Sequence, residues 1–321
     1  MSLRTTLILI CLTAILAGLV VKTVRSRSDE KSLVIGILQT ASHPALDETR
    51  ENFIAEMKRL TDGNVAFAVQ NAEGSISQAR TIAEHFHAHE RIQAIFAIGT
   101  PAVQAAARAE KTKPIFIAAV SEPEALGIDQ SNLCGTSDRI NTDAQAEFVQ
   151  RLLPDVKSVF ILYNPGEANS TAMVKRMKLS LLNRVIESSL LGVNGENEIA
   201  QAVLSGSRKA DALLVPADNL LVGAMPLLAK EALKQNCPLI ASDVPSVSKG
   251  ALAAQGADYG DLGIQTALLA YQVLALGKTP LEIGIRDPEN ATIRLNQAAL
   301  ETLRIAVPEP IAEIAIGGGS L

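Results

Sequence analysis

Six short stretches carry residues able to grip a small polar molecule. Gly99-Thr100-Pro101, Ser42-His43-Pro44 and Asn169-Ser170-Thr171 each read as a helix start, and in two of them proline stands where its missing N–H costs nothing. Backbone N–H groups left free there, with the positive end of the helix dipole, suit a carboxylate or other small anion. Ser121-Glu122-Pro123, Asp218-Asn219 and Ser242-Asp243 follow apolar runs directly and offer the opposite polarity. An aspartate can pair with an ammonium group, and Asn219 can both donate and accept. Taken singly, each stretch also reads as a plain cap or Asx-turn. Brought to one cleft, the two polarities suit a zwitterion such as an amino acid.

Catalytic signatures are missing. The sequence has no G-x-S-x-G, G-x-x-x-x-G-K-[ST] or H-E-x-x-H motif, and no G-x-G-x-x-G after a strand. His85, His87 and His89 form an H-x-H-x-H run in a helical stretch, where two can share a face, fewer than zinc requires. His43 is the one histidine in a suspected ligand loop, and no serine or cysteine is paired with it. Cys134 and Cys237 match no metal spacing; they read as two buried thiols, a disulfide being the alternative in an oxidising compartment. No cofactor is expected.

The elements that position these loops follow from hydrophobic patterning. Leu33–Leu38, Val65–Val69, Ala94–Ile98, Ile115–Val120, Val159–Tyr163, Val185–Ser189, Ala212–Val215 and Leu239–Ala241 read as buried strands. Helical patterns separate them: Pro44–Leu60, Ser77–His87, Pro101–Glu110, Asn141–Leu152, Asn169–Leu182, Glu198–Leu204, Ala224–Gln235 and Asp261–Leu276. Apolar strands alternating with helices of this length predict parallel sheets covered on both faces. Two such series occur, one ending near Val120 and one starting near Val159, so the fold class is α/β with two doubly wound lobes. Ligands of such sheets bind beyond the carboxyl ends of the strands, which is where the six stretches fall.

Composition narrows the function further. Of 321 residues, 48% are hydrophobic and 20% charged, with a net charge of −5, so the chain is globular and has no basic stripe for nucleic acid. Aromatics make up only 3%, too few for a base-stacking platform. Residues 5–21 carry no charge and are flanked by Arg4 and by Lys22, Arg25 and Arg27. That run predicts an exported protein, with residues 1–28 as signal or membrane anchor and the remainder in the periplasm or at the outer face of the cytoplasmic membrane.

The loop sequences themselves carry a resemblance. IGILQTASHPALDETRENF, AIGTPAVQAAA, YNPGEANS, VPADN and SDVPSVSKGALAAQGADYGDLG resemble, in the same order, the ABC-transporter substrate-binding family that includes the tryptophan-binding TrpX-like proteins, from Val34 to Pro308. The resemblance implies a type I periplasmic binding fold. Crossovers are expected near Gly135–Asp138, Ala253–Gly256 and Thr279–Ile283, giving lobe 1 as 33–136 plus 254–280 and lobe 2 as 137–253 plus 281–316. It also implies ligand contacts from Thr40, Thr100, Asn169, Ser170, Asn219 and Asp243, to which the residue chemistry adds Ser121 and Asp218. Where relatives often have Thr-Asp-Pro after the fourth strand, this chain has Ser121-Glu122-Pro123, with a longer acid. Tyr163 and Tyr259 are the aromatic candidates near the loops.

The function expected is that of a non-enzymatic solute-binding protein. It captures a small polar solute, an amino acid above all, and delivers it to an ABC permease driven by a separate ATPase. The alternative is a sensor that uses the same ligand-gated closure to signal to a membrane partner.

Overall fold

The runs AIFAI (β3, Ala94–Ile98) and IFIA (β4, Ile115–Ala118) are buried at every residue, which only a sheet covered on both faces permits. The computed structural model describes residues 33–127, 131–288, 291–309 and 311. Its first sheet also contains β1 (Leu33–Gln39), β2 (Val65–Asn71), β5 (Leu133–Thr136) and β11 (Ile285–Arg286), in the order β11-β5-β4-β3-β1-β2 and parallel throughout. The second sheet contains β6 (Ser158–Tyr163), β7 (Glu187–Gly192), β8 (Ala212–Val215), β9 (Leu239–Ala241), β10 (Ala253–Gly256) and β12 (Thr292–Leu295). Its order is β12-β10-β9-β8-β6-β7, and β12 alone runs antiparallel, against β10.

Period-two alternation divides each core in two. Ala94, Phe96 and Ile98 of β3 join one cluster with Phe53 and Phe116, while Ile95 and Ala97 face the opposite cluster with Phe86 and Ile117. Phe53 stacks on Phe96 with ring centroids 3.8 Å apart. In the second lobe Val159 and Ile161 of β6 face one cluster, Phe160 and Leu162 the other. The covering helices are α1 (Pro44–Leu60), α2 (Ile76–Ala88), α3 (Thr100–Ala109), α4 (Thr142–Leu152), α5 (Ala168–Asn183), α6 (Glu196–Ser207), α7 (Asn219–Gly223), α8 (Met225–Lys234), α9 (Tyr259–Leu274), α10 (Pro280–Ile283) and α11 (Gln297–Leu303).

The chain passes between lobes three times: between Thr136 and Thr142, between Gly256 and Tyr259, and between Arg286 and Thr292. The first lies where the sequence places it. The other two lie further along, which corrects the expected lobe ranges. β10 pairs with β9, so residues 254–256 belong to the second sheet, and β11 pairs with β5, so residues 285–286 belong to the first. AAQG and IR carry no apolar run long enough to show in the sequence which sheet they join. The expected anchor falls in residues 1–32, outside the described residues, among which no helix is long and apolar enough to cross a membrane.

Candidate functional site

The carboxyl ends of the central strands meet across the interface between the lobes and surround a cavity of about 20 Å³, room for little more than one water-sized group. The first lobe contributes His43, at the start of α1, with Ala119 and Ser121 after β4 and Tyr259 at the start of α9; Asp138 enters from the first crossover. The second lobe contributes Asn169 in the first turn of α5, Asp218 and Asn219 at the start of α7, and Asp243 after β9. A wider cleft of about 560 Å³, sharing Asn219 with the cavity, opens past Thr40, Thr100, Pro101, Glu167 and Leu220.

Local capping chemistry holds these groups. Asp218 is the N-cap of α7: Leu221 N donates to Oδ1, while Asn164 N and Ser170 Oγ both donate to Oδ2 at 2.6 Å. Glu167 accepts from Asn219 N at 3.0 Å, Asn219 Nδ2 at 2.6 Å and Leu220 N at 3.2 Å, which gives α7 a second carboxylate at its positive end. Asp243 accepts from Ser246 N and Ser246 Oγ at the head of the 3-10 turn Val244–Lys249. Tyr259 Oη donates to Asp138 Oδ2 at 2.7 Å. Across the interface His43 Nε2 lies 3.4 Å from Asn219 Oδ1.

Burial sets the electrostatics. It pushes Asp243 up to about 6, against the hydrogen bonds from Ser246. Burial, and then the charge of Glu167, raises Asp218 above the usual carboxylate range, against the donors Ser170, Asn164 and Leu221. Burial also raises Asp138, against the hydroxyls of Tyr259 and Ser121. His43 is lowered by burial, against the pull of Asn219 and Asp47, so it is neutral at pH 7. No lysine or arginine lines the cavity. A cavity of this kind favours a cationic group, which gains by ionising the carboxyls around it.

Of the eight residues expected at the site, Ser121, Asn169, Asp218, Asn219 and Asp243 line the cavity. Thr40 and Thr100 line the wider cleft instead. The Thr40 hydroxyl is committed to structure, donating to Ile98 O at 2.9 Å and accepting from Ala102 N at 3.2 Å in the first turn of α3. Ser170 is fully buried and serves Asp218 rather than the cavity. Of the aromatic candidates, Tyr259 is in the cavity, and Tyr163 packs against the second lobe's core.

Sequence reading passed over two members of the site. Asp138 lies in a connecting segment with no patterning to mark it. Glu167 carries a signal after all, an acid at the position before a helix. The longer acid Glu122 reaches the other lobe, where it takes Arg176 Nη1 of α5 at 2.6 Å. His87 Nδ1 donates to the Glu110 carboxylate at 3.0 Å, away from the cavity, and the described residues hold no cluster of three or more metal-ligating side chains. Cys134 and Cys237 are free and buried.

A family model described as ABC transporter substrate binding protein matches residues 34–317. A tyrosine-binding protein of Clostridioides difficile (strain R20291) is 35% identical over 288 residues, 87% of this chain and 83% of the relative. A domain solved in complex with L-Trp, from Streptococcus pneumonia, superposes with a TM-score of 0.84 at 28% identity, covering 88% of this chain and 98% of its own. The ligand-free, open structure of a substrate-binding protein with adhesive properties from Clostridium difficile gives 0.67 at 33% identity, covering 86% and 96%. The higher score therefore goes with the ligand-bound relative, although the open one is nearer in sequence.

Proposed function

The chain belongs to the ABC transporter substrate-binding protein family, and from that premise we propose that it is the extracytoplasmic solute-binding protein of an ABC uptake transporter, with an amino acid as its solute. The observation that carries this reading is the cavity itself. Buried polar groups from both lobes converge on one space that exists only when the lobes are together, which is how closure selects a ligand.

The two polarities are arranged along one path. Carboxyls crowd the inner end, while the Thr100 hydroxyl, buried and without a partner, stands in the first turn of α3 beside the wider cleft and suits the carboxylate end of a zwitterion. Ile76, Pro101 and Leu220 give that cleft apolar surface for a side chain. Capture involves no chemical step, and the energy for uptake comes from the ATPase that drives the partner permease. Residues 5–21 serve as an export signal or as a membrane tether.

The test is a thermal-shift panel of the twenty L-amino acids on residues 29–321, unfolded and refolded to strip any carried solute. Ligand at a hundred times its Kd adds about 2.7 kcal/mol, a shift of several degrees. L-tyrosine and L-tryptophan are the first probes, because relatives bind them. A shift by one or a few amino acids is expected; a panel that leaves the melting temperature unmoved, while sugars or simple anions raise it, overturns the amino-acid assignment.

A further inference from the structure

We propose that the inner cavity is a socket for a primary ammonium group, built from His43, Asn169 and Asp138, so that the solute must carry an unsubstituted amine and enters amine first. The inference rests on the solute-capture reading above and deepens it.

Three side chains of the cavity, each more than nine-tenths buried, present a polar atom with no hydrogen-bond partner: His43 Nδ1, Asn169 Oδ1 and Asp138 Oδ1. Their chemical roles are fixed from behind. Asn169 Nδ2 donates to Ala217 O at 2.7 Å, so the amide must turn its oxygen to the cavity. Glu167 takes both the backbone N–H and Nδ2 of Asn219, which leaves Asn219 Oδ1 facing His43 Nε2. That oxygen only accepts, so Nε2 carries the proton of the neutral ring and Nδ1 is a bare lone pair. Asp138 has Oδ2 occupied by Tyr259 Oη and the Ser121 hydroxyl beside the carboxyl, while Oδ1 has no hydrogen bond. All three free atoms are acceptors, and none of the fully buried side-chain atoms left without a partner in the cavity is a donor.

A primary ammonium group matches this set, since it brings three donors and no acceptor. A hydroxyl brings one donor and two lone pairs that would face further acceptors. A carboxylate meets Asp138, Asp218 and Asp243 with no cation to offset them. A methylated amine replaces an N–H with carbon, leaving a buried acceptor without a partner. The cavity's small volume against the wider cleft outside it fits a head group inside and the remainder of the solute beyond Asn219.

Isothermal titration of the stripped protein with three sets of probes tests this: L-tyrosine and L-tryptophan; their amines, tyramine and tryptamine; and analogues without a free amine, 3-(4-hydroxyphenyl)propionate, indole-3-propionate and N-acetyl-L-tyrosine. Loss or acylation of the amine is expected to weaken binding at least about 100-fold, since several hydrogen bonds to a charged group are lost together and buried acceptors are left without partners. Asp138→Asn keeps the size and can still accept from Tyr259, but turns an N–H₂ donor towards the cavity. It should cost a similar factor with the melting temperature little changed. Should that variant not fold, nitrogen-15 NMR of the histidines in the stripped wild-type protein gives an independent readout, with an unprotonated Nδ1 expected for His43. Equal affinity for amine-free analogues, or a protonated Nδ1 in neutral His43, overturns the socket. A protein that binds sugars or carboxylates and no amine overturns it too, and leaves solute capture standing.

Discussion

Asp243 caps a turn and at the same time lines the cavity between the lobes. Its bonds to Ser246 are those of an ordinary turn cap, yet burial holds its carboxyl near 6 against about 4 in an unfolded chain. The folded protein therefore binds this proton more tightly than the unfolded one. The associated stability is fully present below about pH 4 and is lost as pH climbs to about 6. The expected outcome is that the empty wild-type protein loses up to about 3 kcal/mol relative to Asp243→Asn over that window. Parallel thermal melts at several pH values measure it, and a constant difference between the two proteins would refute it. A cationic solute should bind more tightly as pH rises through the same range. The residue scale was also where sequence reading reached least far. Asp218, Asn219 and Asp243 were legible as polar groups at the carboxyl ends of strands, although Asp218 and Asp243 also serve as the caps their positions suggest. What turns His43 into an acceptor is a chain of bonds through Asn219 to Glu167, joining residues 176 and 52 positions apart. No local pattern encodes that.

At the scale of elements, the site depends on how closely α1 and α9 approach. A Cβ on Gly263 of α9 would stand 2.3 Å from Thr49 O and 3.0 Å from Phe53 N, both backbone atoms of α1, so only glycine fits. Thr49 Oγ1 bonds the carbonyl of Tyr259 at 2.9 Å, locking the start of one helix to the body of the other. Because α1 begins at His43 and α9 begins at Tyr259, this contact sets the spacing of two cavity residues. Gly263→Ala is expected to destabilise the protein by about 3 kcal/mol, the upper end for overpacking, because the obstacle is backbone. Gly223→Ala, where the added methyl meets nothing within 4 Å, is the matched control and should be near neutral by denaturant titration. The long helices and the buried strands of both sheets were readable within a few residues, since apolar runs and helical periodicity state them directly. The strand expected at Val185–Ser189 starts two residues later, at Glu187, because Val185 adopts a positive φ in the turn before it. The short strands at the crossovers escaped, because LCGT and AAQG are held by neighbours rather than by their own composition.

For the whole molecule, closure rests on a few polar bonds between lobes. Arg176 of α5 binds Glu122 after β4, and Glu122 is nearly buried. Burial raises this carboxyl, against the charge of Arg176. Arg176→Ala should leave an unpaired acid at the interface, shifting the empty protein towards the open form and weakening the solute several-fold. A larger radius of gyration by small-angle X-ray scattering is the expected sign, and an unchanged radius together with unchanged affinity would refute the role. The three crossings between lobes carry a different consequence, one that concerns time. Lobe 1 receives five strands from the first 136 residues, but α9 and β11 come from residues 259–286. Until they are made, the face containing Phe53, Phe96 and Phe116 lacks its cover of Tyr259, Leu262, Ala267 and Ala270. At 5–20 residues per second, the ribosome needs about 8–30 seconds to supply that stretch. During that interval the nascent chain has no finished lobe, because each sheet still awaits an edge strand encoded further along.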